Sequence, residues 1–119
     1  MDERLRFGVE LLKPSPGVAI VELQGEVDIY SSPQFGEVLL RGIEEGATRI
    51  VVDLGKVTFI DSTALGVVVS GVKGVRAHSG RLDIVCQDEN IRRIFEITGL
   101  DRILHMYHSR QEALRAAKE

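Results

Sequence analysis

Residues 57–66 read Val57-Thr58-Phe59-Ile60-Asp61-Ser62-Thr63-Ala64-Leu65-Gly66. The apolar, β-rich run Ile50-Val51-Val52-Asp53-Leu54 leads into Val57–Ile60 and stops abruptly at Asp61-Ser62-Thr63. A segment with apolar residues at Leu65, Val68, Val69 and Val72 then begins. A short apolar run reads as a strand, and three-to-four spacing reads as one face of a helix. The stretch is therefore a strand that delivers two hydroxyls to the start of a helix. The first turn of a helix has unpaired N–H groups and a partial positive charge. A phosphate on Ser62 is expected to sit where those donors point. No catalytic partner for the hydroxyl lies nearby in the sequence, so the junction reads as a substrate for another protein's kinase.

Working outward, Phe7–Lys13 alternates as a strand, Pro14-Ser15-Pro16-Gly17 is a turn, and Val18–Leu23 is a second strand, which together predict a hairpin. Gly25-Glu26-Val27-Asp28 is expected to lead out of the sheet. Ser32-Pro33 predicts a helix start with Ser32 as the cap, Phe35, Leu39 and Ile43 on one face, and Gly46 as the stop. Arg49–Leu54 is apolar enough for a central strand covered on both faces. About 63–78 is read as helix, although its valines, Gly71 and Gly74 are poor helix formers and a strand is the alternative. Arg81–Gln87 is a strand. Asp88 caps a helix carrying Ile91, Ile94 and Phe95 that ends at Gly99, and Ile103–Tyr107 is a short strand. Ser109-Arg110-Gln111-Glu112 has capping-box spacing for a last helix with Ala113, Leu114 and Ala117 inward. Strands alternating with helices predict an α/β fold: one domain over residues 1–119 with a mixed, largely parallel β-sheet.

Composition narrows the function classes. The chain has 119 residues, enough for one domain with a core of its own. Fifteen basic against 18 acidic residues give a net charge of −3, and no basic face suggests nucleic acid. The single cysteine, Cys86, rules out an internal disulfide, fits a reducing compartment, and reads as a buried inert thiol. Met1-Asp2-Glu3-Arg4 lacks the pattern of a signal peptide, and no apolar run reaches membrane-spanning length, so a cytoplasmic location is expected.

Other chemistry finds little support. His78, His105 and His108 are scattered, and His105 and His108, three apart on a strand, face opposite sides, so no metal is expected. Ser62 follows a strand and precedes a helix like a hydrolase nucleophile, but lacks the flanking glycines of that elbow, so a small serine hydrolase is the minor reading. Gly66, Gly71, Gly74 and Gly80 match no phosphate-loop or dinucleotide fingerprint, which leaves a nucleotide sensor as a third reading for an ATP or GTP titration to test. Asp28 and Asp61 both lie at predicted strand ends, where a Mg²⁺ site or acid–base pair competes with the preferred reading that each caps a turn. Local rules also offer a plain N-cap as the role of Ser62.

The segment Val57-x-Phe59-Ile60-Asp61-Ser62-Thr63-Ala64-Leu65-Gly66 resembles the signature of anti-sigma-factor antagonists, members of the STAS domain family. Gly25-Glu26-Val27-Asp28, Ile50-Val51-Val52-Asp53-Leu54 and Ile94-Phe95-x-x-Thr98-Gly99-Leu100 match as well, in order along nearly the whole chain. Ala64 stands where the family often has glycine, a change that should not disturb a helix. The resemblance implies a single STAS-like domain with about four helices packed mainly on one side of the sheet. It implies a non-enzymatic antagonist that works by partner switching. The unphosphorylated form binds an anti-sigma factor that is also a serine/threonine kinase and so releases a sigma factor. Phosphorylation on Ser62, with Thr63 as the alternative acceptor, ends the binding, and a metal-dependent serine phosphatase restores it. The partner-binding residues on this reading are Asp28, Asp61, Ser62, Thr63, Leu65, Gly66 and Val67, and Asp61 is expected to orient the Ser62 hydroxyl. No cofactor is implied, and a free monomer suffices. Within the family, the alternative is a non-switching subunit of a transporter ATPase or of a stress-sensing complex.

Overall fold

A computed structural model describes residues 6–117 of the chain, so the Met1–Arg4 stretch read above for a leader lies outside the described residues. The elements are β1 (Gly8–Ser15), β2 (Val18–Val27), α1 (Ser32–Glu44), β3 (Arg49–Ile60), α2 (Ser62–Arg76), β4 (Arg81–Val85), α3 (Glu89–Ile97), β5 (His105–Tyr107) and α4 (Arg110–Ala117), with a 3-10 turn at Leu100–Arg102 before β5. This is the expected order, and segment 62–76 is helix rather than strand. The boundaries differ by a few residues: β1 runs on through Ser15, α2 ends before His78, β4 stops at Val85, and the 3-10 turn shortens β5 to His105–Tyr107.

The sheet order is β1-β2-β3-β4-β5, with β1 antiparallel to β2 and the other pairs parallel. Each parallel strand lies beside its predecessor, so the sheet marches in one direction. Right-handed crossovers then put every connecting helix on the same face. The burial agrees. Ala19, Val21 and Leu23 of β2, Ile50, Val52 and Leu54 of β3, and Leu82 and Ile84 of β4 share one core with Phe35 and Leu39 of α1, Val68, Val72 and Val75 of α2, and Ile91 and Phe95 of α3. Cys86 is fully buried there, and burial pushes its thiol pKa up, as an inert thiol requires. The intervening residues Ile20, Val51 and Val85 face the other way and pack with Ala113 of α4. Three helices therefore cover one face and α4 the other.

Two glycines carry particular constraints. Gly25 does not lead out of the sheet: β2 continues to Val27, which pairs with Ile60, through register irregularities on either side of Gly25. Its φ of +79° is left-handed, and a Cβ there would overlap the backbone of Arg6. Gly71 brings α2 close to α1 and the sheet, since a Cβ would lie 2.5 Å from Leu39 and 3.0 Å from Leu82. Close packing of α2 thus offsets the poor helix propensity of its valines and glycines.

The α4 helix is pinned by charge. Glu22 and Asp53 are cross-strand partners, two carboxylates side by side on the α4 face. Arg110 donates to Asp53 at 2.8 and 3.0 Å and to Glu22 at 2.5 Å. The capping box forms with a one-residue offset: Glu112 N donates to Ser109 Oγ, but the Glu112 carboxylate accepts from His108 N. Ala113 is fully buried as expected, while the predicted inward side of Ala117 falls outside the described side chains.

Three stability outcomes follow. Gly71→Ala overpacks the α1–α2 seam and destabilises the fold by about 1–3 kcal/mol. Gly66→Ala, whose Cβ would meet nothing within 4 Å, stabilises it by up to ~1 kcal/mol; urea unfolding of both variants checks the opposite signs. Arg110→Gln leaves Glu22 and Asp53 facing each other, so α4 amides exchange about fivefold faster, equivalent to ~1 kcal/mol of local opening, while core strand amides are unchanged.

Candidate functional site

The register of β2 and β3 builds the site. Val27 pairs with Ile60, and Asp61 N donates to the Val27 carbonyl at 3.3 Å. The two strand ends therefore deliver Asp28 and Asp61 side by side, at the edge where ligands of parallel sheets bind.

Asp61 is the N-cap of α2. Its backbone is extended (φ −121°, ψ −174°), and Oδ1 accepts from Thr63 N at 2.9 Å and Ala64 N at 3.2 Å. The Thr63 hydroxyl donates to the same oxygen. A carboxylate only accepts, so the single Thr63 proton is committed, and Ser32 Oγ, 3.1 Å away, must donate to Thr63 Oγ1. The Thr63 hydroxyl, followed by the Ala64, Thr63 and Ile29 amides, holds the Asp61 carboxyl below the usual carboxylate range despite some desolvation.

The β2–α1 loop is a second closed unit. Asp28 Oδ1 accepts from Tyr30 N at 3.0 Å and Ser31 N at 3.2 Å. Ser31 Oγ accepts from Asp28 N at 2.9 Å and lies 3.0 Å from the Glu26 carbonyl. Ser31, not Ser32, holds the cap position of α1, and its side chain is spent on the loop. Ser32 is the first helical residue and carries the bond to Thr63, joining the two helix starts.

Three sequence expectations change here. Asp61 does not orient Ser62: its hydrogen bonds go to Thr63 and Ala64. Ser62 is not the cap either; it is the first residue of α2, exposed, and its hydroxyl takes no part in this network. The expected backbone cradle is also largely taken, since Asp61 occupies the Thr63 and Ala64 amides and Leu65 N donates to the Asp61 carbonyl. Of the candidate contact residues, Gly66 is exposed, whereas Leu65 and Val67 are half-buried with part of each packed on the core. Asp28 and Asp61 both act as caps, as preferred, and among the described residues no group of three potential ligands forms a metal site.

Sequence reading missed the most exposed apolar residues at this edge. Ile29 is 61% and Tyr30 89% exposed, both in the loop held by Asp28 and Ser31, and Phe59 is 48% exposed two residues before Asp61. The signal was present: an Ile-Tyr pair squeezed between a strand end and a helix start, in a loop too short to bury it.

The match to protein families agrees with this geometry. A family model described as the STAS domain matches residues 11–113. The chain belongs to the STAS domain family. It is 37% identical over 86 residues to an anti-sigma-B factor antagonist of Staphylococcus epidermidis, covering 72% of this chain and 80% of that one. The fold superposes on an anti-sigma factor antagonist from Mycobacterium paratuberculosis with a TM-score of 0.88 at 22% identity over the full length of both chains. It also superposes on the anti-sigma factor antagonist SpoIIAA, unphosphorylated (TM-score 0.81, 22% identity, 93% of this chain and 96% of that one) and, described as a Bacillus cell fate determinant, phosphorylated (0.74, 22%, 92% and 99%). These relatives are named as regulators and not for a reaction. Among the described residues of this STAS domain, no helix is long and apolar enough to cross a membrane.

The lowered Asp61 pKa sets a sign for acid stability. A depressed folded-state pKa contributes stability that is present above the ordinary carboxylate value and is lost as pH falls through the lowered one. The melting temperature of the wild type therefore drops on acidification through and below the ordinary carboxylate range. Asp61→Asn, which keeps a capping side chain, shows a smaller drop over the same interval in pH-dependent thermal melts.

Proposed function

We propose that this STAS domain is an anti-sigma factor antagonist that works by partner switching, with Ser62 as the phosphoacceptor. The observation that carries the reading is the contrast between adjacent hydroxyls. Thr63 Oγ1 has its proton committed to Asp61 and receives Ser32, whereas Ser62 is exposed at the helix start. A kinase can take Ser62 without opening the cap; taking Thr63 breaks it. The likeness to antagonists, one of them solved in both phosphorylation states, supports the same reading.

The unphosphorylated form binds an anti-sigma factor with serine/threonine kinase activity. Ile29 and Tyr30 supply exposed apolar contact area next to Asp61, and Gly66 lets the partner approach the α2 backbone. Aromatic anchors of this kind dominate many interfaces. Phosphorylation adds roughly −1.5 to −2 charge. That charge arrives beside an ionised Asp61 and close to Asp28, with most backbone donors of the first turn already used. It cannot be absorbed locally and must be desolvated under the partner, which weakens binding. A metal-dependent serine phosphatase returns the protein to the binding form.

Ser62→Ala is expected to bind the anti-sigma factor kinase like the unphosphorylated wild type and to take no phosphate from ATP. Ser62→Glu is expected to lose about 100-fold in affinity, ~3 kcal/mol, with an unchanged far-ultraviolet spectrum. Calorimetry with the kinase and intact-mass analysis after incubation with kinase and ATP check both. Equal affinity of Ala, Glu and wild type, or a phosphate mapped to another residue, overturns the proposal.

A further inference from the structure

The end of the domain opposite Ser62 holds a second polar site, independent of the reading above. Its centre is Asp83 on β4, only 1% exposed. Arg49 Nε donates to Asp83 Oδ2 at 3.0 Å, and the Arg49 side chain is largely buried, so this pair alone neutralises the carboxylate. Yet Arg81 also donates to Asp83, through Nε at 3.2 and 3.3 Å and Nη2 at 3.2 Å, and Nη2 reaches Tyr107 Oη at 3.0 Å. His105 Nδ1 lies 3.8 Å from the same carboxylate. Buried Arg49 Nη2 has no hydrogen-bond partner among the described residues. The cluster is therefore richer in donors and positive charge than Asp83 requires.

Beside it opens a cavity of about 260 Å³, between the end of α2, β4 and the segment leading into β5. Arg76, Arg81, Arg102 and His105 line it, against Asp83 and Asp101. With Asp83 matched by Arg49, the cavity has two more arginines than carboxylates, in a chain whose net charge is −3. Two of the guanidinium groups are held in place: Arg81 by Asp83 and Tyr107, and Arg76 by the Ile103 carbonyl at 2.7 Å. Each keeps further N–H groups, since a guanidinium carries five and these bonds use only some.

We propose that this cavity binds a phosphate group, either inorganic phosphate or the phosphate of a small monoester. Guanidinium forks match oxyanions. An excess of two positive charges matches a phosphate, at roughly −1.5 to −2, better than a monoanionic carboxylate. The volume lies below the about 300 Å³ at which drug-sized ligands begin, so the cavity suits a small phosphate and not a whole nucleotide. The α2 helix runs from Ser62 to Arg76, about 22 Å at 1.5 Å per residue, so the phosphate site and the Ser62 edge are well separated.

The test is titration of inorganic phosphate into the protein, with chloride at matched ionic strength as the reference, followed by backbone and arginine Nε NMR signals. Saturable shifts at Arg76, Arg81, His105 and Tyr107 are expected, with a Kd on the order of 1 mM. Arg76→Gln and Arg102→Gln, both at exposed positions, should each weaken binding at least ~10-fold, about 1.4 kcal/mol, and Ser62→Ala should leave it unchanged. A second titration with glycerol phosphate separates the sources. Tighter binding than inorganic phosphate supports a phosphomonoester ligand, and weaker binding supports free phosphate. Shifts equal to those from chloride, shifts centred on a helix N-terminus instead, or unaltered affinity in both arginine variants overturn the proposal.

Discussion

The Asp61 carboxylate closes the first turn of α2, and the geometry of the candidate site depends on that closure. One oxygen takes the Thr63 amide, the Ala64 amide and the Thr63 hydroxyl. Because the carboxylate only accepts, the direction of every hydroxyl proton behind it is fixed, and Ser32 of α1 is drawn into the same chain of bonds. The β2–β3 register ends with Val27 beside Ile60, and Asp61 N there donates to the Val27 carbonyl. The strand end thereby seats the capping Asp61, and the cap holds Thr63 while Ser62 lies exposed beside it.

On the proposed partner-switching reading, this arrangement favours an electrostatic switch over a conformational one. A helix N-terminus with free donors would fold a phosphate into itself. Here the donors are already satisfied by an acid that its partners keep ionised. A phosphate on Ser62 would leave the cap intact, keep the fold, and spend its charge on whatever lies across the surface. The exposed Ile29 and Tyr30 beside it make that surface apolar enough for desolvation of a dianion to matter.

The sequence made legible what local chemistry decides. Asp88 capping α3 with bonds to Asn90 N and Ile91 N, Gly99 in the left-handed region after it, and Gly46 after α1 all follow from side chain and neighbours alone. The position of Ser62 at a strand–helix junction was legible for the same reason. What was not legible depends on contacts distant in sequence. Gly25 looked like an exit because glycine weakens a strand, yet pairing with Val57 keeps it in the sheet. Local rules choose Ser32 over Ser31 as the cap because Pro33 follows it. Asp28 claims one, and Thr63, thirty-one residues away, claims the other. Arg49, Arg81 and His105 gave no sign of meeting at Asp83, because that cluster exists only once three parallel strands are in register.

The two faces of the sheet solve different problems. A one-directional march of parallel strands assigns α1, α2 and α3 to one face, where the strands bury apolar side chains against the helices. The other face is left to one eight-residue helix, too short to specify its own seat by apolar area. There the sheet sets like charges opposite each other, Glu22 with Asp53 and Arg49 with Arg81. Each pair is unfavourable alone and becomes tolerable only with an opposite charge between its members: Arg110 for the first, Asp83 for the second. Partly buried ion pairs add little net stability over apolar packing, but losing one partner is costly. A one-residue slip of β3 or β4 would turn these charges into the apolar core. The charges on the α4 face thus penalise wrong registers more than they strengthen the right one. The register they protect is the one that ends with Val27 beside Ile60 and places Asp61 over α2.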